Sequence, residues 1–440
     1  MRRASVVSAI LVSMLTIGTV AFADPGEIFL ASSSDVGEVA NFESRAADMS
    51  GDGRAVAFES KATNLDPLDT DLFQDIYVKD LDTGEVTLAS VAPGKSKGRG
   101  KGKGGSPVKG NLYSLRPSLS ADGTRVAFDT GSSNLHPDDG SGDLDVYVKD
   151  LISGELFLAS TTAAGTKGNG YSLRPSISAD GTKLVFDSIA TNFDTADGDT
   201  NFDVYVKDLV TGHVDLVSVT PGGVKGNDAS FGAVISPDGT RVAFNSLASN
   251  LDPADPDSLT DVYVKDLITG ELFLASTSDE GVTGNGRSFV PKLSRDGGVI
   301  AFMSQATNLD PADSHPYEDV YLKDLVTGDL TLVSTAAGGT KGNGLSFLGS
   351  ISADGRVVAF DSISTNLHPD DNDSFDDVFV KDMATGDLTL ISVTGDGAKG
   401  NNHSGAASLS ADAGRIAFGT SATNLHPGIT GRTQILVKAP

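Results

Sequence analysis

The chain has 440 residues, no cysteine, no tryptophan and a formal net charge of −26. The missing cysteines exclude disulfides, thiol nucleophiles and thiolate metal sites together. An acidic balance of this size argues against a nucleic-acid partner and against adsorption on an anionic membrane.

At the N-terminus Arg2 and Arg3 precede an apolar stretch at 6–20, and Ala21-Phe22-Ala23 supplies a small-x-small cleavage pattern. Residues 1–23 read as a secretory signal, because the stretch is short for a membrane span. The mature chain would start at Asp24 with a formal charge of −28. It is expected to be exported, periplasmic or extracellular, with no membrane insertion once the signal is cleaved.

Beyond that segment one phrase recurs, an Asp-Gly turn (Asp-Ala-Gly in the last copy) followed by a short apolar strand marked by Phe58, Phe128, Phe186, Phe244, Phe302, Phe360 and Phe418. The first interval is 70 residues and the others are 58, so 12 extra residues fall in the first repeat only. A fixed period of this kind marks a tandem architecture. The second copy contains four strand-like pieces, at 114–120, 125–130, 145–151 and 155–160. Each has alternating or β-branched and aromatic character, and no window has a helical period. The first and second pieces, and the third and fourth, are joined by tight glycine turns suited to hairpins. The second-to-third loop is long and rich in Asp, and a Gly-Lys-Gly-Asn loop leads to the next repeat.

Four antiparallel strands repeated seven times predict an all-β, seven-bladed propeller spanning 24–440. Residues 26–32 match the fourth strand at 154–160 at all but one position, and the last repeat stops at its third strand, 435–438. The N-terminal strand is therefore expected to complete the last blade and close the ring, which leaves no open sheet edge.

The run Ser236-Pro237-Asp238-Gly239-Thr240-Arg241-Val242-Ala243-Phe244, followed by Asp261-Val262-Tyr263-Val264-Lys265-Asp266-Leu267, resembles the WD-like repeat of TolB-type propellers. The other copies mostly read Ser-Ala-Asp-Gly at the turn. The resemblance implies the propeller fold. TolB carries an α/β domain ahead of its propeller and related peptidases carry a hydrolase domain, and the repeats here match neither. Partner binding of the TolB kind and peptidase activity are thus not implied.

Propeller topology places the Asp-rich and between-blade loops on one face. Six of the acidic loops hold an Asp pair at one spacing: Asp69 and Asp75, Asp139 and Asp145, Asp197 and Asp203, Asp255 and Asp261, Asp313 and Asp319, Asp371 and Asp377. A third oxygen donor often stands between them, as with Asp71, Ser141, Asp199, Asp257 and Asp373. Such loops can gather the six to eight oxygens that Ca2+ takes, and Asp197-Gly198-Asp199-Thr200-Asn201-Phe202-Asp203 is the best formed. The competing reading is that the last Asp caps backbone N–H groups and the rest are solvated turn residues. The seventh loop lacks carboxylates and is expected to bind nothing.

The between-blade loops repeat an Asn and a Ser three apart, from Asn41 and Ser44 to Asn401 and Ser404, and five carry a lysine: Lys109, Lys167, Lys225, Lys341 and Lys399. They suit a polar ligand such as a glycan, but a feature present in every blade reads first as scaffold. The insertion at 94–110 is a Gly/Lys tract, read as a solvated loop. Its P-loop-like and GxSxG-like matches lack the helix that both motifs need. His136, His368 and His426 share one loop position in different blades, and Arg116, Arg174, Asp48 and Lys292 are candidates for the channel wall.

Uniform blades favour a monomeric binding or scaffold module with a protein or glycan ligand on the loop-rich face, because catalysis usually needs one blade to break the pattern. The alternative is a channel-mouth enzyme of the lyase or glycoside hydrolase type.

Overall fold

The computed structural model describes residues 27–94 and 106–439. The secretory signal and most of the 94–110 insertion lie outside the described residues. The fold is all-β, with seven four-stranded antiparallel sheets and one short two-stranded ribbon. In blade two the strands are Ser114–Leu119, Arg125–Thr130, Asp145–Asp150 and Leu156–Leu158, ordered as in the chain. The same order holds in blades one and three to six.

Blade seven is composite. Its first three strands are Ser404–Leu409, Ile416–Thr420 and Gln434–Lys438, and its fourth is Ile28–Leu30 from the other end of the chain. Ile28 faces Lys438, Phe29 faces Val437 and Leu30 faces Leu436. Beyond this ladder the Ser32 hydroxyl donates to Gln434 Oε1 at 2.7 Å and accepts from Ile435 N–H at 2.9 Å. Blade two makes the same contacts within itself, where the Ser160 hydroxyl meets Asp145 Oδ1 and Val146 N–H. The closure is therefore one repeat's own geometry, assembled from two chain ends.

The core lies between blades. The alternation of the second and third strands turns one face of each sheet toward either neighbour, so Phe128, Tyr147 and Val126 of blade two pack with Ala57, Ile76 and Val78 of blade one. In five blades the repeat Phe stacks on the third-strand Tyr with ring centres about 6 Å apart, for example Phe58 on Tyr77 at 5.9 Å. Polar ties run between the same neighbours. Lys207 Nζ donates to Thr161 O of the preceding blade at 2.6 Å, and Lys183 Nζ to Gly239 O of the following one at 2.7 Å.

The innermost strands enclose a channel of about 940 Å³ whose wall includes Asp48, Arg116, Arg174 and Lys292, as the sequence suggested. Most of these strands carry a bulge, with a left-handed residue in it: Ala46 (φ 52°), Arg116 (54°), Arg174 (52°), Val290 (54°) and Ala406 (54°), and a glycine, Gly232 (66°), in blade four. Such angles are costly for residues with a Cβ, and a carboxylate of the preceding blade holds several of them. Glu59 Oε1 accepts from Arg116 N–H, Asp129 Oδ1 from Arg174 N–H, Asp187 Oδ2 from Gly232 N–H and Asp361 Oδ1 from Ala406 N–H.

Candidate functional site: the acidic loops and the channel mouth

Each acidic loop leaves the second strand at an Asn locked to the preceding between-blade loop. Asn169 N–H donates to Asn192 Oδ1, Asn169 Oδ1 accepts from Thr191 N–H, and Asn192 Nδ2 donates to Lys167 O. All seven blades repeat this clasp, which gives the Asn ring a structural job. The buried Ser three residues on bonds the second strand, as Ser172 does Ser188.

The paired Asp side chains converge as the spacing predicted, and the structure supplies the reason. One oxygen of the first Asp accepts from the third-strand Tyr hydroxyl: Asp69 from Tyr77 at 2.7 Å, Asp139 from Tyr147 at 2.8 Å, Asp197 from Tyr205 at 2.6 Å, Asp255 from Tyr263 at 2.6 Å and Asp313 from Tyr321 at 2.7 Å. In blade six Phe379 stands in the Tyr position and Asp371 has no such donor. One oxygen of the last Asp accepts from the hydroxyl of a Ser two residues past the fourth strand, as Asp75 does from Ser90 and Asp261 from Ser276, both at 2.6 Å. The second oxygens then point into one space. In four loops carboxylate oxygens lie within 4.8 Å of one another, an arrangement able to hold a metal ion: Asp69, Asp71 and Asp75; Asp197, Asp199 and Asp203; Asp255, Asp257 and Asp261; Asp371, Asp373 and Asp377.

In five loops the between-blade lysine reaches into that space, which sequence reading had treated as a separate feature. Lys109 Nζ lies 3.4, 3.0 and 2.7 Å from Asp69, Asp71 and Asp75. Lys225 lies 3.7, 2.9 and 2.9 Å from Asp197, Asp199 and Asp203, and Lys399 3.5, 2.9 and 2.7 Å from Asp371, Asp373 and Asp377. Lys167 is 2.8 Å from Asp145 and Lys341 is 2.7 Å from Asp319. The last Asp is buried in every case. Burial pushes Asp75 up to about 7 and Asp203 up to about 6, against the hydrogen bonds and charge of the lysine. Burial works against Lys109 and Lys225 as well, but their carboxylate partners outweigh it and hold both ammonium groups above their ordinary value. Asp261 has no lysine, and burial with the like charges of Asp255 and Asp257 drives it up to about 7.

The same face carries the channel mouth, where the blades stop being alike. The residue before each innermost strand is Glu43, Tyr113, Tyr171, Ala229, Arg287, Leu345 and His403 in turn. Tyr113 and Tyr171 are exposed in adjacent blades. Just inside them Arg116 makes a two-pronged ion pair with Asp129 at 2.8 and 2.9 Å, and Arg174 meets Asp187 at 3.1 Å. In blade seven His403 Nδ1 lies 2.8 Å from Asp376. Deeper in the channel burial pushes Asp48 up and Lys292 down, each tempered by the other's opposite charge. The repeat pattern does not single out these mouth residues, because they sit one place outside the strands. The signal available was their variety at a position flanked by uniform ones.

No protein-family model matches the chain, and no curated protein matches its sequence. Solved structures do match. An oligogalacturonate lyase in complex with manganese is 14% identical with a TM-score of 0.54, over 95% of this chain and 99% of that one. The propeller domain of the Trilobed protease from Pyrococcus furiosus, described as having an open velcro topology, is 12% identical with a TM-score of 0.54, over 90% and 95% of the two chains. TolB from Acinetobacter baumannii is 17% identical with a TM-score of 0.43, and the match spans 77% of this chain and 64% of TolB. What the likenesses show is the fold, a β-propeller, and the seven four-stranded sheets of this chain make it seven-bladed.

Proposed function

We propose that the chain is an exported, monomeric binding module whose ligand, a glycan or a protein, sits on the inner rim of the loop-rich face, with calcium bound among the acidic residues of that face. The observation that carries this reading is the contrast between uniform blades and a varied rim. The Asn clasps and the Asp–Tyr and Asp–Ser bonds recur around the ring, whereas Tyr113, Tyr171, Arg287 and His403 do not. Two exposed tyrosines above ion-paired arginines offer flat apolar faces beside polar groups, a combination suited to a ligand with both characters. Of the two ligand classes a glycan fits this better. Export is supported by the apolar stretch at 6–20 and its cleavage pattern. The test is a panel of neutral and acidic oligosaccharides offered to the mature protein and to Tyr113→Ala/Tyr171→Ala. Loss of binding in the double variant is expected, and unchanged binding would refute the rim.

The enzyme reading has one observation in its favour, the His403–Asp376 pair, since a carboxylate can orient an imidazole for proton transfer. It predicts release of reducing or unsaturated ends from a polysaccharide, abolished by His403→Ala. Absence of release across the panel would dismiss it.

A further inference from the structure

Around the ring the acidic loop and the residue facing it change together, with one exception. In five positions carboxylates face a lysine. In blade seven the carboxylates are gone, with Ile429 and Gln434 in their places, and the facing position is Val39, set by the bridge Ser33 to Val39 as Lys167 is by Thr161 to Lys167. Charge was lost there on both sides. In blade four it was lost on one side only: Asp255, Asp257 and Asp261 remain, and the bridge from Thr277 brings in Thr283. The Thr283 hydroxyl donates to Ala254 O at 2.9 Å, not to a carboxylate.

The result is a buried acidic cluster without a counter-charge. Asp255 and Asp261 are 1% and 0% exposed. Tyr263 and Ser276 satisfy one oxygen of each, but Asp255 Oδ1 and Asp261 Oδ2 have no hydrogen-bond partner, and neither residue forms an ion pair among the described residues. In the lysine-filled loops the corresponding second oxygen of the last Asp lies 2.7–2.9 Å from an ammonium. Carboxylate oxygens within 4.8 Å of one another in a buried loop repel, so an unfilled cluster is unfavourable. This observation deepens the calcium reading of the face. We infer that the Asp255, Asp257 and Asp261 loop is a site for one hard divalent cation, and that lysine is the built-in cation of the five other acidic loops. The donors are all oxygen and the loop is irregular, which suits calcium, whereas magnesium demands near-octahedral geometry. Loop carbonyls and water complete the shell.

The experiment is calorimetric titration of the chelator-stripped mature protein with calcium alone and magnesium alone. One calcium should bind, with a dissociation constant on the order of 10⁻⁴ to 10⁻³ M, the range of extracellular modules. Thr283→Lys should abolish the binding and raise the melting temperature of the metal-free protein. Lys225→Thr, which turns blade three into a copy of blade four, should raise the stoichiometry to two. Thr283→Lys removes no buried hydrogen-bonding group, so it tests the site without threatening the fold. Binding that survives Thr283→Lys, or five or six equivalents bound, overturns the single site but keeps calcium on this face. No calcium bound at a concentration on the order of 10 mM overturns both.

Discussion

Replacing Ser32 by Ala tests whether the ring is closed in solution. The hydroxyl donates to Gln434 Oε1 at 2.7 Å and accepts from Ile435 N–H at 2.9 Å, and both partners are buried, Gln434 at 2% exposure and Ile435 at 0%. Gln434 keeps its other contacts, Nε2 donating to Ala40 O and Phe42 O, so its amide cannot turn to find a new donor for Oε1. Orphaning a buried polar group costs about 1–3 kcal/mol, which sets the loss at roughly 2–6 kcal/mol for the two. Ser160→Ala removes the same contacts inside blade two and serves as the internal standard. The assay is urea unfolding of both variants with amide exchange followed at Ile435 and Leu436. Ser32→Ala should cost as much as Ser160→Ala or up to about 1 kcal/mol less, since Ser160 donates to a carboxylate and Ser32 to an amide, and the Ile435 and Leu436 amides should be protected like those of other third strands. A neutral Ser32→Ala with fast exchange at Ile435 would mean a frayed N-terminal strand and an open ring.

Two further outcomes follow from the channel wall. Val290 is β-branched at φ 54° and half-exposed, so Val290→Gly should raise stability by about 1 kcal/mol as relieved strain outweighs the added chain entropy, and a loss on urea unfolding would contradict that. Burial holds Asp361 at about 7, above the 3.8 of an ordinary aspartate, so the folded state keeps the proton between those values and stability falls as pH rises through about 7. Asp361→Asn keeps an acceptor for Ala406 N–H and should raise stability at pH 8 by about 4 kcal/mol, by a smaller amount at pH 5 and not at all at pH 3, below the unfolded value; a parallel pH profile for the two proteins would refute the assignment.

The architecture was legible because it is repeated: a strand pattern ambiguous once is not ambiguous seven times. The Phe spacing, the glycine turns and the stray N-terminal copy of a fourth strand were enough to foresee the blades and their closure, and the observed ladder from Ile28 to Lys438 follows that plan. The Asp pairs were legible as a cluster because their spacing is rigid. What was not legible was which residue enters the cluster, since Lys225 lies 22 residues beyond Asp203 and meets it only through the fold. The clue was in the sequence as covariation: lysine is replaced by Val39 where the carboxylates vanish, and by Thr283 where they persist. The carboxylates that hold the left-handed bulges, such as Asp129 and Asp361, were hidden for a different reason. They occupy ordinary second-strand positions and act on the next blade, a contact that no local pattern encodes.

The claim that the varied rim of the loop-rich face is the binding surface is tested most directly by hydrogen-exchange footprinting of the mature protein with the tightest-binding member of the oligosaccharide panel. The account predicts protection at the mouth, around Tyr113, Tyr171 and Arg287. Protection at the Asp-Gly turns of the opposite face, around Gly123 and Gly181, with the rim unchanged, would contradict it.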